Sequence, residues 1–227
     1  MLAHPLNQRR TMAAEKTAIL REQDTCWRLA GCRRARVLID GADYFLALRR
    51  ALLKAEHQVF IVGWDIDSRT PLAGPGGKKD DDLPLTLGEF LTELVKQRPG
   101  LQVYLLLWDY SMLYALERES LPEIKLNWST PPEISVCLDD VLPIGACHHQ
   151  KVVVIDDALA FSGGLDLTIR RWDTSDHALQ NPDRSDPNGA SYRPFHDIQM
   201  MVDGEAAIAL GELVRQRWAR AACENLD

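Results

Sequence analysis

The sequence predicts an α/β domain in which a sheet is covered by helices on both faces. Segments with strand-like and helix-like spacing alternate along the chain, which is typical of this class. Several predicted strands are apolar at almost every position, as LQVYLLLWD (101–109) is, and such strands are buried on both sides. With 227 residues, 46% of them hydrophobic and 26% charged, the chain has the size and composition of a packed globular domain.

The first elements are predicted after a polar leader at residues 1–34, and we treat residues 35–227 as a single domain. RVLIDG (36–41) predicts a strand and turn, ADYFLALRRALLKAE (42–56) a helix and QVFIVGWDID (58–67) a strand. The next segment, PLAGPGGKKDDDLP (71–84), is rich in Gly, Pro and charge and predicts a mobile, solvated surface loop. It lacks the spacing of a phosphate-binding P-loop.

The remaining elements continue the alternation. TLGEFLTELVKQRP (86–99) predicts a helix with Thr86 as its N-cap, and the apolar strand at 101–109 follows it. Further strands are predicted at 124–129, 134–139, 148–156 and 195–204, a polar loop at 170–194, and a closing helix at 205–222.

Charge and cysteine content restrict the classes of function. A net charge of −7 disfavours a protein that binds nucleic acid through a broad cationic face. The five cysteines are scattered and odd in number, which favours a reducing compartment. No apolar run approaches the roughly 18 residues of a membrane span, so we expect a cytoplasmic protein, with peripheral contact to a membrane surface left open.

The segment HHQKVVVIDDALAFSGGLDL (148–167) carries the chemistry. Side chains alternate across a strand, so His149 and Lys151 are predicted to share one face while His148 and Gln150 share the other. An ammonium can hold the oxygens of a phosphate while an adjacent imidazole attacks phosphorus or moves a proton. The following Ser-Gly-Gly turn brings backbone amides and Asp166 towards the same place.

Six residues of this segment form the pattern H-x-K-x4-D-x6-G-G-x-D, from His149 to Asp166. The pattern resembles the HKD signature of the phospholipase D superfamily, and stretches at 62–72, 169–174, 195–204 and 215–221 resemble the N-terminal half of its two-motif members. The resemblance implies a phospholipase D-like mixed sheet flanked by helices on both faces. It also implies phosphodiester chemistry through a covalent phosphohistidine, without a metal or other cofactor.

The resemblance also implies roles for individual residues. The catalytic set comprises His149 as nucleophile, Lys151 as phosphate clamp, Asp197 as the acid that holds the imidazole, and Asp156, which strand alternation puts on the opposite face as a brace. The predicted substrate-binding residues are Gly163, Gly164, Asp166 and Trp64. Asp166 stands where many members carry Asn, and a carboxylate there repels a phosphodiester unless a lysine screens it.

A single motif supplies one imidazole and one lysine, which is half of the family's site. We favour a chain that forms the N-terminal half of a longer enzyme, acting on glycerophospholipids by hydrolysis or by transfer to an alcohol. One alternative is a metal-independent nuclease completed by a homodimer mate. A non-catalytic half-module that binds phosphate is the other.

Weaker signals do not support a different chemistry. Cys147, His148 and His149 offer too few ligands for a zinc site, and Ser162 lies outside a G-x-S-x-G nucleophile elbow. His177 and His196 are interpreted as a loop and a structural histidine, so no metal ligands are predicted.

Overall fold

The structure is a computed structural model that describes residues 19–74, 79–108, 131–143 and 146–222. Its residues divide into two compact units, 1–31 and 32–227. In the first unit the described residues form a turn, in which the carbonyl of Arg21 accepts the amide N–H groups of Asp24, Thr25 and Cys26. All the helices and strands below belong to the second unit.

The described residues form a seven-stranded mixed sheet with the order β1-β7-β6-β5-β2-β3-β4. Strands β2 and β3, and β3 and β4, are parallel, and the other neighbours are antiparallel. The strand bounds are β1 (Ala35–Ile39), β2 (Gln58–Gly63), β3 (Gln102–Trp108), β4 (Ile134–Asp139), β5 (Lys151–Ile155), β6 (Leu159–Gly163) and β7 (Ile198–Asp203).

In the described part of the chain, three helices cover the two faces of this sheet: α1 (Asp40–Leu52), α2 (Leu87–Gln97) and α3 (Glu205–Ala222). Apolar residues of α1 and α2, such as Phe45 and Phe90, pack into one core cluster. Trp218 of α3 packs into another cluster on the opposite face. The predicted fold class, an α/β sandwich with a mixed sheet, is therefore confirmed.

Alternation across the central strands accounts for their apolar sequences. In β5, Val153 packs into the core beneath α1 and α2, whereas Val152 and Val154 pack into the core beneath α3. Every residue of β5 is buried, because the strand has neighbours on both edges and helices on both faces. This burial removes the solvent-facing positions that would otherwise be polar.

Several boundaries differ from the prediction, β6 was not predicted, and one predicted strand is not tested. The strand expected at 195–204 begins at Ile198, and the helix expected at 42–56 spans Asp40–Leu52. The strand expected at 148–156 begins only at Lys151, and the one expected at 58–67 ends at Gly63. The strand predicted at 124–129 lies outside the described residues. Among the helices of the described residues, none has the length and apolar character to cross a membrane.

The segment 79–84 is not simply solvated. Arg49 of α1 is 1% exposed, and its guanidinium binds both carboxylate oxygens of Asp81 and the carbonyls of Leu83 and Pro84. The arginine also lies over the ring of Phe90 in α2, at 4.5 Å from the centroid. A charged residue of the predicted loop therefore fastens it to the helices, because the buried arginine requires a counter-ion.

Candidate active site

The ends of two central strands bring the predicted site residues together. Strands β2 and β5 are antiparallel, so the residues after Gly63 lie beside those before Lys151. The Trp64 ring meets the His149 ring edge-on, with centroids 6.1 Å apart. His149 is exposed, whereas Lys151 is only 4% exposed. An accessible imidazole and a buried ammonium thus belong to one end of the sheet.

Asp166 pairs with the buried lysine. Lys151 Nζ lies 2.9 Å from Asp166 Oδ2, and Asp166 Oδ1 accepts the backbone N–H of Trp64 at 2.9 Å and that of Asp65 at 3.3 Å. Both carboxylate oxygens of Asp166 thus already have partners in the protein. This favours a positioning role for Asp166 over the substrate contact that we predicted. The Lys151 ammonium would also screen the negative charge of Asp166 from a bound phosphodiester.

The ammonium of Lys151 retains donors for a ligand. Its contact with Asp166 is an ion pair without hydrogen-bond geometry, and Nζ has no hydrogen-bond acceptor among the described residues. A buried, charged donor group without acceptors is costly in free energy. An anionic oxygen at the end of β5 would supply the missing acceptor.

His148 and Gln150, which were predicted on the face opposite His149 and Lys151, contact residues of β4 and α3. Arg217 of α3 donates from Nη1 to Gln150 Oε1 at 2.8 Å and from Nη2 to Asp139 Oδ2 at 2.7 Å. The same carboxylate lies 3.2 Å from His148 Nε2. Burial, followed by the nearby Arg217 charge, lowers the pKa of His148 and favours its neutral form. Sequence reasoning missed Arg217 and Asp139, which are distant in the chain from the motif.

The glycine pair makes room for strand β7. A Cβ on Gly163 would overlap the backbone carbonyl of Ile198 and the side chain of Gln199. A Cβ on Gly164 would overlap both carboxylate oxygens of Asp197. The two glycines therefore allow Asp197 to lie directly against the backbone of β6, a packing role rather than the substrate contact that we predicted for them.

Asp197 lies in the same row of the sheet as His149. Extending the registers of β5, β6 and β7 by two residues pairs His149 with Leu165 and Leu165 with Asp197. Two strand spacings, about 10 Å, then separate the two backbones. Asp197 Oδ1 accepts the N–H of Ile198 at 2.7 Å, and in the described part of the chain no hydrogen bond joins Asp197 to His149. Their partnership stays a prediction.

Asp156 lies at the opposite end of β5 from Lys151. Its carboxylate accepts three backbone N–H groups, those of Glu56, His57 and Gln58, at 2.8 to 2.9 Å. Its own backbone is left-handed, with φ of 52°. This placement supports the predicted bracing role and corrects its inclusion among the catalytic residues, because the length of the strand separates it from the reacting end.

A second polar cluster adjoins Asp197. Asp40 at the start of α1 donates its backbone N–H to the carbonyl of Asp197 at 2.9 Å, and its carboxylate faces His177 and His196. Sequence reasoning interpreted both histidines as structural and did not consider Asp40. The position of His196 next to Asp197 was the one available signal, because the other two residues come from distant segments.

Comparison with known sequences agrees with the motif. A family model described as phospholipase D matches residues 141–227. Phospholipase D2 from Bos taurus is 32% identical over 161 residues, which cover 70% of this chain and 16% of the relative. Phospholipase D C from Dictyostelium discoideum is 28% identical over 216 residues, which cover 83% of this chain and 13% of the relative. The chain thus spans less than a fifth of the length of these two relatives.

Solved structures share the fold at low sequence identity. Nuc from Salmonella typhimurium, a phospholipase D family member, is similar with a TM-score of 0.50 and 12% identity, covering 82% of this chain and 96% of its own. Phosphatidylserine synthase from Haemophilus influenzae is similar with the same TM-score and identity, and 39% of its chain is covered. These similarities define a class of α/β proteins with a mixed sheet.

Within this fold class, the H-x-K motif and the relatives found by sequence indicate one family. The chain belongs to the phospholipase D superfamily and resembles the N-terminal half of its two-motif members.

Proposed function

We propose that the chain supplies one half of a phospholipase D-type active site that cleaves the phosphodiester bond of glycerophospholipids. The observation that carries this proposal is the buried ammonium of Lys151, which keeps donors without acceptors at the strand end where the exposed His149 lies. This arrangement suits an anionic ester held by the lysine and attacked by the imidazole.

The proposed reaction has two displacements at phosphorus. A ring nitrogen of His149 attacks and forms an N–P bond, the bond from phosphorus to the leaving alcohol breaks, and the histidine of a second motif gives that alcohol a proton. Water or an acceptor alcohol, deprotonated by the same second histidine, then attacks phosphorus and the N–P bond breaks. Lys151 donates hydrogen bonds to the non-bridging oxygens throughout, and Asp197 is proposed to stabilise the charged imidazole.

A lipid substrate is supported by the charge and by the relatives. The net charge of −7 lacks the cationic excess expected of a protein that holds a polyanion. The stretch at 62–72 resembles lipid-acting members, and the curated relatives reported above carry the name phospholipase D. The chain spans a small part of those relatives, so a second H-x-K set from elsewhere is part of this proposal.

A metal-independent nuclease formed by a homodimer is the second candidate. One observation favours it: this fold covers 96% of Nuc and 98% of NucT from Helicobacter pylori, so the similarity takes in almost the whole of both chains. A two-fold axis would then bring two copies of His149 and Lys151 to one site.

The test uses the natural full-length protein that contains these residues, assayed in parallel with and without EDTA. With phosphatidylcholine vesicles and ethanol we expect phosphatidic acid and phosphatidylethanol, and a labelled phosphohistidine trapped by denaturation in detergent at mildly alkaline pH, where its N–P bond is stable. His149→Ala should lower turnover by roughly 10³-fold or more and abolish the label, because the nucleophile is lost. His57→Ala is the matched control, since the side chain of His57 is exposed and lies beside Asp156, at the opposite end of β5 from Lys151.

Each result decides between the candidates. Cleavage of plasmid DNA in EDTA without lipid turnover, together with sedimentation as a dimer, would favour the nuclease over the phospholipase. If the folded protein has neither activity, the non-catalytic half-module becomes the supported interpretation. If the phosphohistidine label is undiminished in His149→Ala, the nucleophile is another residue.

A further inference from the structure

Three residues from distant segments converge beside Asp197. Asp40 begins α1, His177 lies in the polar segment 170–194, and His196 precedes β7. One possible ligand atom from each lies within 4.8 Å of the other two. The two imidazole rings meet edge-on, with centroids 5.0 Å apart. Oxygen and imidazole nitrogen ligands in such a group suit a divalent transition metal.

One oxygen of the Asp40 carboxylate, Oδ2, lacks a hydrogen-bond donor among the described residues. Asp40 is completely buried; Oδ1 lies 2.7 Å from His196 Nδ1 and 3.3 Å from the backbone nitrogen of Asp197. Oδ2 is 3.3 Å from His177 Nε2, yet it has no hydrogen-bond partner within the described residues. Because a buried carboxylate oxygen without a donor is costly, a cation at Oδ2 would compensate for its burial.

The backbone holds Asp40 in an uncommon conformation. Its φ is 66°, in the left-handed region that few residues other than glycine adopt. Such a conformation is unfavourable for a residue with a side chain and persists where the surroundings fix it. Here it fixes the buried carboxylate opposite the two histidines.

The orientation of His177 is set by a further carboxylate. His177 Nδ1 lies 3.1 Å from Asp173 Oδ2, and an ionised carboxylate can only accept, so the proton is on Nδ1. In the neutral ring the lone pair is then on Nε2, which faces Asp40. Asp173 is itself buried and binds Arg184 Nη1 and the N–H of Phe195. A carboxylate that fixes a metal-binding histidine in this way is a recurring feature of zinc sites.

We propose that Asp40, His177 and His196 bind one divalent transition-metal ion, for which zinc is the best fit. Tetrahedral zinc with bonds of about 2.1 Å separates two ligand atoms by about 3.4 Å, and Asp40 Oδ2 and His177 Nε2 are 3.3 Å apart. His196 is 65% exposed, so its ring is free to turn its nitrogen from Oδ1 towards the ion. A water molecule would complete the tetrahedron.

The metal would position Asp197 rather than act on substrate. Asp40 donates its backbone N–H to the carbonyl of Asp197 and accepts the N–H of Asp197 at its carboxylate, and His196 directly precedes Asp197. Binding would therefore fix the segment that carries the proposed partner of His149. This consequence depends on the proposed function, whereas metal binding itself does not.

The test is a titration of the 227-residue chain after removal of metal by a chelator. We expect calorimetry with Zn²⁺ alone to give one equivalent bound, and Co²⁺ alone to give the intense visible bands of a four-coordinate ion. The double variant His177→Gln/His196→Gln should weaken binding by roughly 100-fold or more, because two ligands are lost.

Two control variants separate this site from other zinc ligands. Cys147→Ser removes an exposed thiol, and His148→Gln/His149→Gln removes the motif histidines; both should retain the bound equivalent. The proposal is overturned if the intact chain binds no metal, which would leave His177 as an imidazolium shared by Asp40 and Asp173. It is equally overturned if binding survives in the His177/His196 variant or disappears in a control. None of these readings requires lipid turnover.

Discussion

Lys151 and Asp166 form a buried ion pair in which both partners depend on each other. Asp166 also accepts two backbone N–H groups after β2, so the pair joins the motif strand to its neighbour. Removing one partner of such a pair leaves an uncompensated charge in a poorly hydrated place. The pair therefore carries stability as well as the proposed phosphate contact.

Lys151→Met should destabilise the chain by about 3 kcal/mol, because Asp166 stays buried without its counter-ion. The measurement is the free energy of unfolding from urea denaturation. The double variant Lys151→Met/Asp166→Asn should regain at least half of this loss, since the amide is neutral and its oxygen still accepts from Trp64. Additive losses in the double variant would contradict a coupled pair.

At the scale of elements, the segment 79–84 depends on one ion pair. Arg49 is buried in α1, and Asp81, with 14% of its side chain exposed, is its charged partner. The hydrogen bond from Arg49 holds the pKa of Asp81 below its ordinary value of 3.8. The pair therefore stabilises the folded state wherever the carboxylate is ionised.

Asp81→Asn should lower the free energy of unfolding by about 2 to 3 kcal/mol at neutral pH, because Arg49 loses its charged partner but keeps two carbonyl acceptors. A depressed pKa contributes stability above the unfolded value that is lost as pH falls through the folded one. The difference between the two proteins should thus shrink below about pH 4.

Asp80→Asn is the control for this prediction. Asp80 pairs with Arg50, and both side chains are more than half exposed, so the loss should stay within about 0.5 kcal/mol. Equal losses in Asp80→Asn and Asp81→Asn would mean that burial of Arg49 is not the cause.

At the scale of the whole molecule, Arg217 connects three distant parts of the chain. From α3 it binds Asp139 at the end of β4 and Gln150 before β5. The C-terminal helix thereby holds the residues on either side of His149. The geometry of the proposed site thus depends on the last helix in the chain.

Arg217→Met should destabilise the chain by about 3 kcal/mol, since Asp139 is left buried without a permanent positive charge; in the described part of the chain it keeps His148 and the N–H of Val141 as contacts. It should also lower the proposed turnover, because Gln150 is released next to the nucleophile. Thermal unfolding and the lipid assay measure the two effects. Arg220→Met, on an exposed position of the same helix, should change neither; a matching loss there would assign the effect to the helix itself.

Local pattern predicted more of the fold than of the site. Apolar runs and helical spacing predicted six of the seven strands of the described sheet and α1, α2 and α3, since burial acts on contiguous residues. They missed β6, whose Ser162 and Gly163 were expected in a turn. The spacing of His149 and Lys151 correctly indicated one end of the sheet. The sequence could not predict the Arg217 contacts and the Asp40 cluster, because each joins residues that only the three-dimensional fold brings together.

The strand that carries Lys151 is the fourth of seven in the sheet and is paired on both edges. Opening of the outer strands, where fraying begins, would leave its ladder intact. Amide hydrogens of Val152 to Val154 should therefore exchange with solvent only when the entire domain unfolds. Lys151 therefore begins a strand that we expect to be among the last to lose its hydrogen bonds. Local opening of the edge strands should leave the position of Lys151 in the sheet unchanged.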